Sequence, residues 1–161
     1  MARAVKPRAV AAGVKAKGRT GQRLPAEARN AGVVVDSAPL IYLLYGHAVF
    51  ASFFERLFQT HQQGLLRIGL SIIALAEVLA GPLRHRQDAL ARSYENALAE
   101  FEPMPVTREI AVLAARLRAG TGLRLPEALQ AATALESGAV ALAKHNRDFS
   151  KLKGLKVLMG N

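Results

Sequence analysis

Cysteine and tryptophan are both missing from this chain of 161 residues. Without cysteine there can be no disulfide and no thiolate metal site, and a reducing compartment such as the cytoplasm is the natural setting. Aromatic residues are few, at 6%, so Ala, Leu and Val must build the core, a composition that favours a helix-rich α/β or all-α globule. No apolar run approaches the roughly 18 residues needed to cross a bilayer. The longest, Ile68 to Ala80, is broken by Gly69, Ser71 and Glu77, and the N-terminal segment lacks the continuous apolar stretch of a secretory signal. No membrane partner is expected. The four histidines (His47, His61, His85 and His145) have no paired metal-ligand spacing, and neither a Gly-rich phosphate loop nor a Ser/His/Asp set can be assembled.

Acidic residues are scarce at the start. Residues 1–30 hold eight Lys/Arg against Glu27 alone, so seven of the ten net positive charges sit there. Large apolar side chains are also rare in this stretch, which therefore cannot offset its ordering entropy by burial. The composition predicts a disordered basic arm over residues 1–31 and a single folded domain over 32–161. The functional alternative for the arm is salt-sensitive attraction to phosphate backbones.

Hydrophobic periodicity and breaker residues order the rest. Val33-Val34-Val35 reads as a buried strand ending in Asp36, followed by a helix with Pro39 in its first turn. A helix over 48–62 carries Val49, Phe50, Phe53, Phe54, Leu57 and Phe58 at helical spacing, and Gly64 stops it. This stripe reads as core packing rather than a base-stacking platform. A strand over 65–70 leads to Ser71, an N-cap for a helix from Ile72 halted at Gly81-Pro82. The pattern then predicts a helix from Leu83 to about Glu102, an extended piece over 103–106, and a helix from Arg108 to Ala119, capped by Thr107 and stopped at Gly120. A helix opened by Pro126 follows, then a strand over 139–143, a polar turn over 144–148 and an edge strand over 156–159. Such alternation is that of an α/β domain with a mainly parallel sheet.

Four acids stand against apolar neighbours. Asp36 ends a Val run, where a carboxylate is costly unless it serves something. Glu77 interrupts the apolar helix over 72–80, Glu127 opens the helix after Pro126, and Asp148 follows the last buried strand. In open α/β sheets the carboxyl ends of the strands face the ligand crevice, and Asp36 and the 146–148 turn both project there. Two have purely structural readings as well: Glu127 is favoured by the helix dipole, and Asp36 can cap the helix it precedes. Lys144 and His145 read as a solvated turn, with phosphate contact as the functional alternative.

In order and context these segments resemble the PIN-domain family. The run from Val33 through Asp36, Ser37 and Pro39 to Leu44 is similar to the opening strand and helix of PIN domains, and Ile72 to Pro82 to their second acidic helix. Leu123-Arg124-Leu125-Pro126-Glu127-Ala128 is the most specific stretch, and Gly138 to Phe149 resembles the closing motif. VapC-type toxins of bacterial toxin–antitoxin pairs share this size and layout. The resemblance implies a three-layer fold with a mainly parallel sheet of four to five strands flanked by helices. It also implies a metal-dependent endoribonuclease that uses Mg²⁺ or Mn²⁺, takes RNA as substrate, is inhibited by a small antitoxin and forms a homodimer. The metal ligands carried over are Asp36, Glu77 and Glu127, with Asn146 and Asp148 completing the catalytic set and Ser37 orienting Asp36 or a water.

The sequence departs from the family pattern twice. Glu127 stands where Asp is usual, carrying its charge about 1.5 Å further from the backbone, and Lys144-His145-Asn146 stands where Thr-Asn-Asp is usual, so one charge is lost. Since Mg²⁺ is commonly held by one or two carboxylates with waters, three acids suffice for one ion, and weakened metal binding is expected. A PIN-fold RNA-binding or partner-binding protein without catalysis is the alternative.

Overall fold

The computed structural model describes residues 32–45, 51–145, 152 and 154–159; the basic arm of residues 1–31 lies outside them, as do Val49, Phe50, Asn146 and Asp148. In chain order the elements are β1 (Gly32–Val35), α1 (Ser37–Tyr45), α2 (Ala51–Gln62), β2 (Arg67–Ser71), α3 (Ile72–Arg84), α4 (Asp88–Leu98), β3 (Glu102–Met104), α5 (Arg108–Thr121), α6 (Leu125–Glu136), β4 (Ala141–Lys144) and β5 (Lys156–Met159). The five strands form one sheet in the order β3-β2-β1-β4-β5, and every pairing is parallel. The α/β class and the parallel sheet expected from sequence are what the structure has.

Strand alternation divides the core into two layers. Val33, Val35, Ala141 and Ala143 face a cluster with Leu40 of α1, Phe54, Leu57 and Phe58 of α2, Ala74 and Val78 of α3, and Tyr94 and Leu98 of α4. Val34 and Leu142 face the opposite way, onto Ile110 and Ala114 of α5 and Ala128, Ala131 and Ala132 of α6. The sheet is therefore sandwiched between helices, which explains why its central strands are apolar on both faces. The buried face of α6 is mostly alanine, with Gln130 and Thr133 among four alanines. Such short side chains let the helix axis approach the sheet closely, and this brings the first turn of α6 down to the strand ends.

Several element boundaries differ from expectation. Helix α3 does not halt at Gly81-Pro82 but runs on to Arg84, with Pro82 buried inside it. A proline in the last turn removes a single intrahelical bond, and the Pro82 carbonyl still accepts from the His85 and Gln87 N–H groups at 3.1 and 2.9 Å. The long helix expected from Leu83 is instead broken at Arg86, whose φ of 54° is left-handed, and α4 starts at Asp88. The extended piece over 103–106 begins earlier and pairs as β3 on the sheet edge, where Pro103 is tolerated because its missing N–H is not needed. Helix α5 passes Gly120 and ends at Gly122, which takes the left-handed C-cap at φ 75°. Lys144, expected in the polar turn, is the last residue of β4 and is buried.

Leu142 is fully buried in the middle of β4 against the α5–α6 layer. Leu142→Ala is expected to destabilise the fold by about 2–5 kcal/mol, read as a lowered midpoint in chemical denaturation.

Candidate functional site

All five strands point the same way, so the carboxyl ends of β1, β2 and β4 open on one edge of the sheet. β1 is paired with β2 on one side and β4 on the other. The chain runs outward from β1 through β2 to β3 and then crosses back to β4 on the other side of β1, and this reversal creates the crevice where open α/β sheets hold ligands. The register pairs Val35 with Ala143, and the ladder continues one step further, with the Asp36 N–H donating to the Ala143 carbonyl at 2.9 Å. Asp36 and Lys144 are therefore neighbours at the ends of adjacent strands. Alternation sends both side chains to the face that Val34 and Leu142 occupy, beneath the first turn of α6.

There they meet Glu127. The Lys144 Nζ lies 3.7 Å from Asp36 Oδ2 and 4.0 Å from Glu127 Oε1, with all three side chains mostly buried at 6%, 10% and 13% exposure. Both separations exceed a hydrogen bond, so the ammonium sits between two carboxylates as a shared counterion rather than clamped to either. The other Asp36 oxygen is held in place: Oδ1 accepts from the Ser37 N–H at 2.7 Å and from the Ser37 hydroxyl at 3.3 Å. Ser37 thus turns the Asp36 carboxylate so that its free edge faces the cleft.

Glu127 has a second cation. Its Oε1 accepts from Arg124 Nη2 at 2.6 Å and Nε at 3.2 Å, and its Oε2 accepts from the Arg124 backbone N–H at 3.1 Å. The last bond satisfies an orphan donor at the helix start, so the structural reading of Glu127 as an N-terminal helix acid also applies. Arg124 is 82% exposed, and a pair this open to water contributes little to stability. It still holds the Glu127 carboxyl below the ordinary glutamate range, chiefly through the side-chain hydrogen bonds, with burial acting the other way and Lys144 adding a smaller electrostatic pull.

Glu77 is exposed, on the α3 side of the cleft. Its Oε2 accepts from Gln130 Nε2 at 3.1 Å. Gln130 follows Glu127 by three residues and so lies on the same face of α6, which places Glu77 about one helical turn from the Asp36–Glu127 pair. Among the described residues, no three His, Asp or Glu side chains converge closely enough to hold a metal as they stand. Of the expected ligands, the structure brings Asp36 and Glu127 together around one cation and leaves Glu77 to one side. Asn146 and Asp148 lie outside the described residues.

Two contributors have a place in the cleft that the sequence does not give them. Lys144 is one: it is neither in a solvated turn nor shown on phosphate, but buried between two acids. His145 leaves in the other direction, its ring edge-on to Tyr42 of α1 at 5.3 Å. The other is Gln130, 3% exposed, whose Oε1 is buried without a hydrogen-bond partner among the described residues. The amide cannot be flipped to cure this, because its NH₂ must face the Glu77 carboxylate. An orphaned carbonyl oxygen beside a carboxylate is a donor suited to a hard cation or to water. The donor chemistry suits a hard cation in two parts: Asp36 and Glu127 offer carboxylate oxygens around a position that already attracts a positive charge, and Glu77 and Gln130 hold further oxygens to one side of it.

A carboxyl whose folded pKa is lowered stabilises the fold fully above its unfolded pKa, and that contribution is lost as pH falls through the folded value. Glu127→Gln is thus expected to flatten the decline in melting temperature as the pH drops below about 4. Arg124→Ala should move the Glu127 carboxyl back up toward its ordinary range, read by carbon NMR titration.

Comparison with known proteins places this geometry in a family. Residues 33–155 match the PIN domain family. No curated protein matches the chain in sequence. Among solved structures, it is similar to a toxin–antitoxin complex from Klebsiella pneumoniae, at 24% identity and a TM-score of 0.62, over 80% of this chain and 98% of that one. VapBC2 from Rickettsia felis, bound to a DNA fragment from its promoter, is similar at 18% identity and a TM-score of 0.68, over 81% and 99%. Mycobacterium tuberculosis VapC20, a toxin that cleaves the sarcin–ricin loop, is similar at 14% identity and a TM-score of 0.60, over 78% and 98%. At these identities the structures speak for the fold, whereas the family match spans most of the chain. The chain belongs to the PIN domain family.

Proposed function

We propose that the protein is an endoribonuclease of the toxin–antitoxin kind, acting on RNA in the cytoplasm and held in check by a small antitoxin that covers the acidic cleft. The observation that carries this reading is the convergence of Asp36 and Glu127 on one cation. They come from ends of the domain far apart in sequence, and they meet at the crevice where a parallel sheet binds its ligands. The similarity to toxin–antitoxin structures supports an antitoxin partner, and the similarity to VapC20, a sarcin–ricin loop cleaving toxin, supports RNA as the substrate class. Assembly as a homodimer belongs to the same proposal.

Mg²⁺ or Mn²⁺ is the proposed cofactor, held by Asp36 and Glu127 with Glu77 as third acid and Ser37 fixing the Asp36 carboxylate. Such an ion acidifies a water and offsets charge developing at the phosphate. The protein residues supply the orientation: Ser37 locks one Asp36 oxygen, the Arg124 pair fixes the Glu127 side chain, and the α6 dipole favours negative charge at its first turn. In this reading Asn146 and Asp148, which follow β4 in the sequence, complete the catalytic set.

The specific observation favouring a second reading is Lys144, an ammonium already lodged between Asp36 and Glu127. A PIN-fold protein that binds RNA or a partner without cutting would tolerate this arrangement.

Cleavage of RNA by the purified chain in Mn²⁺ separates the two. We expect divalent-dependent cleavage that falls about 10²-fold or more in Asp36→Asn, since positioning errors near 1 Å already cost that much. Full-rate cleavage by Asp36→Asn rules out this site. If the native chain is slow, Asn146→Asp with Glu127→Asp should raise the rate; no gain from both changes together favours the binding role.

A further inference from the structure

We propose that Lys144 is a tethered counterion that occupies the metal position between Asp36 and Glu127, so that a divalent ion can load the cleft only by displacing its ammonium. The inference rests on reading this cleft as a cation site and adds how access to it is regulated.

Three observations converge on it. The Lys144 side chain is 6% exposed, and a buried ammonium is costly unless opposite charge surrounds it. Its backbone is not free to choose this place. Lys144 ends β4 one step beyond the Val35–Ala143 pairing, and alternation aims it under α6. Finally, its Nζ lies within reach of both carboxylates, 3.7 Å from Asp36 and 4.0 Å from Glu127, so its charge acts on the two acids together.

Divalent metal and ammonium cannot share this place. Mg²⁺ needs its oxygens at about 2.0–2.1 Å, and Asp36 Oδ2 and Glu127 Oε1 are the same two atoms that face Lys144. With the ammonium only a few ångströms away, like charges in a partly desolvated cleft repel strongly. Yet the ammonium does not use the whole donor set. Gln130 Oε1 remains buried without a partner among the described residues, beside Glu77. The cleft thus offers more oxygen donors than one ammonium satisfies. Metal affinity is lowered by whatever fraction of molecules have Lys144 in place. Signals that draw the ammonium out, such as an RNA phosphate at the mouth of the cleft, would favour loading.

The test uses the full chain, Mn²⁺ as the probe, and readouts that do not depend on cleavage. Free Mn²⁺ is followed by electron paramagnetic resonance, and melting temperature is measured with and without the ion. Lys144→Met, which keeps the stem and removes the charge, is expected to bind Mn²⁺ about tenfold more tightly or better, and to gain thermal stability from Mn²⁺. Lys144→Arg, which keeps the charge, should behave like the native chain. Asp36→Asn added to Lys144→Met should abolish the gain. If Lys144→Met is unfolded alone and folds only with Mn²⁺, the proposal stands, since two carboxylates would then need the metal in place of the ammonium. A Lys144→Met protein with unchanged affinity and a metal-independent melt overturns it, as does one that stays unfolded at every Mn²⁺ concentration. Because neither readout involves RNA, a native chain that never cuts RNA would sink the nuclease reading alone. A metal-indifferent Lys144→Met would sink this inference alone.

Discussion

The hydrogen bond from the Asp36 N–H to the Ala143 carbonyl extends the β1–β4 ladder past the end of β1 and fixes which residues face one another at the mouth of the sheet. Because the strands are parallel, register sets both the height and the face of every side chain at that edge. A slip by one residue would turn Asp36 and Lys144 away from α6 and onto the layer built by α1 to α4. Val33 and Val35 pack one way and Val34 the other, all buried, so β1 is anchored in the core on both faces. The acidic cleft is thus held by the apolar core beneath it, and its own ionic contacts add little to its position.

The two cations that approach Glu127 differ in kind. Arg124 is the N-cap of α6, is open to water and lowers the Glu127 pKa mainly by direct hydrogen bonds. Lys144 comes from the end of β4 beneath α6, is buried and lies 3.7 Å or more from either carboxylate. Screening makes the first a local device for shaping the start of α6. The second changes what the cleft can bind, because a buried charge between two others acts through a medium that screens it far less. The orphaned Gln130 oxygen belongs to the same picture: the buried face of α6 is mostly alanine and holds two polar residues, of which Thr133 is satisfied by its own helix and Gln130 is aimed at Glu77.

Local chemistry made part of this site legible. A carboxylate closing a run of three valines has no cheap structural excuse, so Asp36 announces itself, and Pro126-Glu127 before an alanine helix is a recognisable opening. Glu77 was legible as an oddity in an apolar helix, but its side chain faces outward to meet Gln130. Lys144 was hidden because the run Lys144-His145-Asn146 has the composition of a turn, while the strand continues one residue into it. Gln130 was hidden because a glutamine among alanines looks like the wet side of a helix. Pro82 and Gly120 read as helix stops, but tertiary packing carried both helices beyond them.

The amino-acid order by itself determined the α/β class, the alternation of elements and the presence of acids at strand and helix ends, because these follow from periodicity and from the cost of burying charge locally. Tertiary structure alone decided that Asp36 and Glu127 share one ammonium, that Glu77 stands a turn away and that His145 turns its back on the cleft. Those outcomes depend on which strands pair, in what register, and how closely α6 settles on them. They are set by the summed burial of residues distant in sequence, and no local pattern encodes that sum.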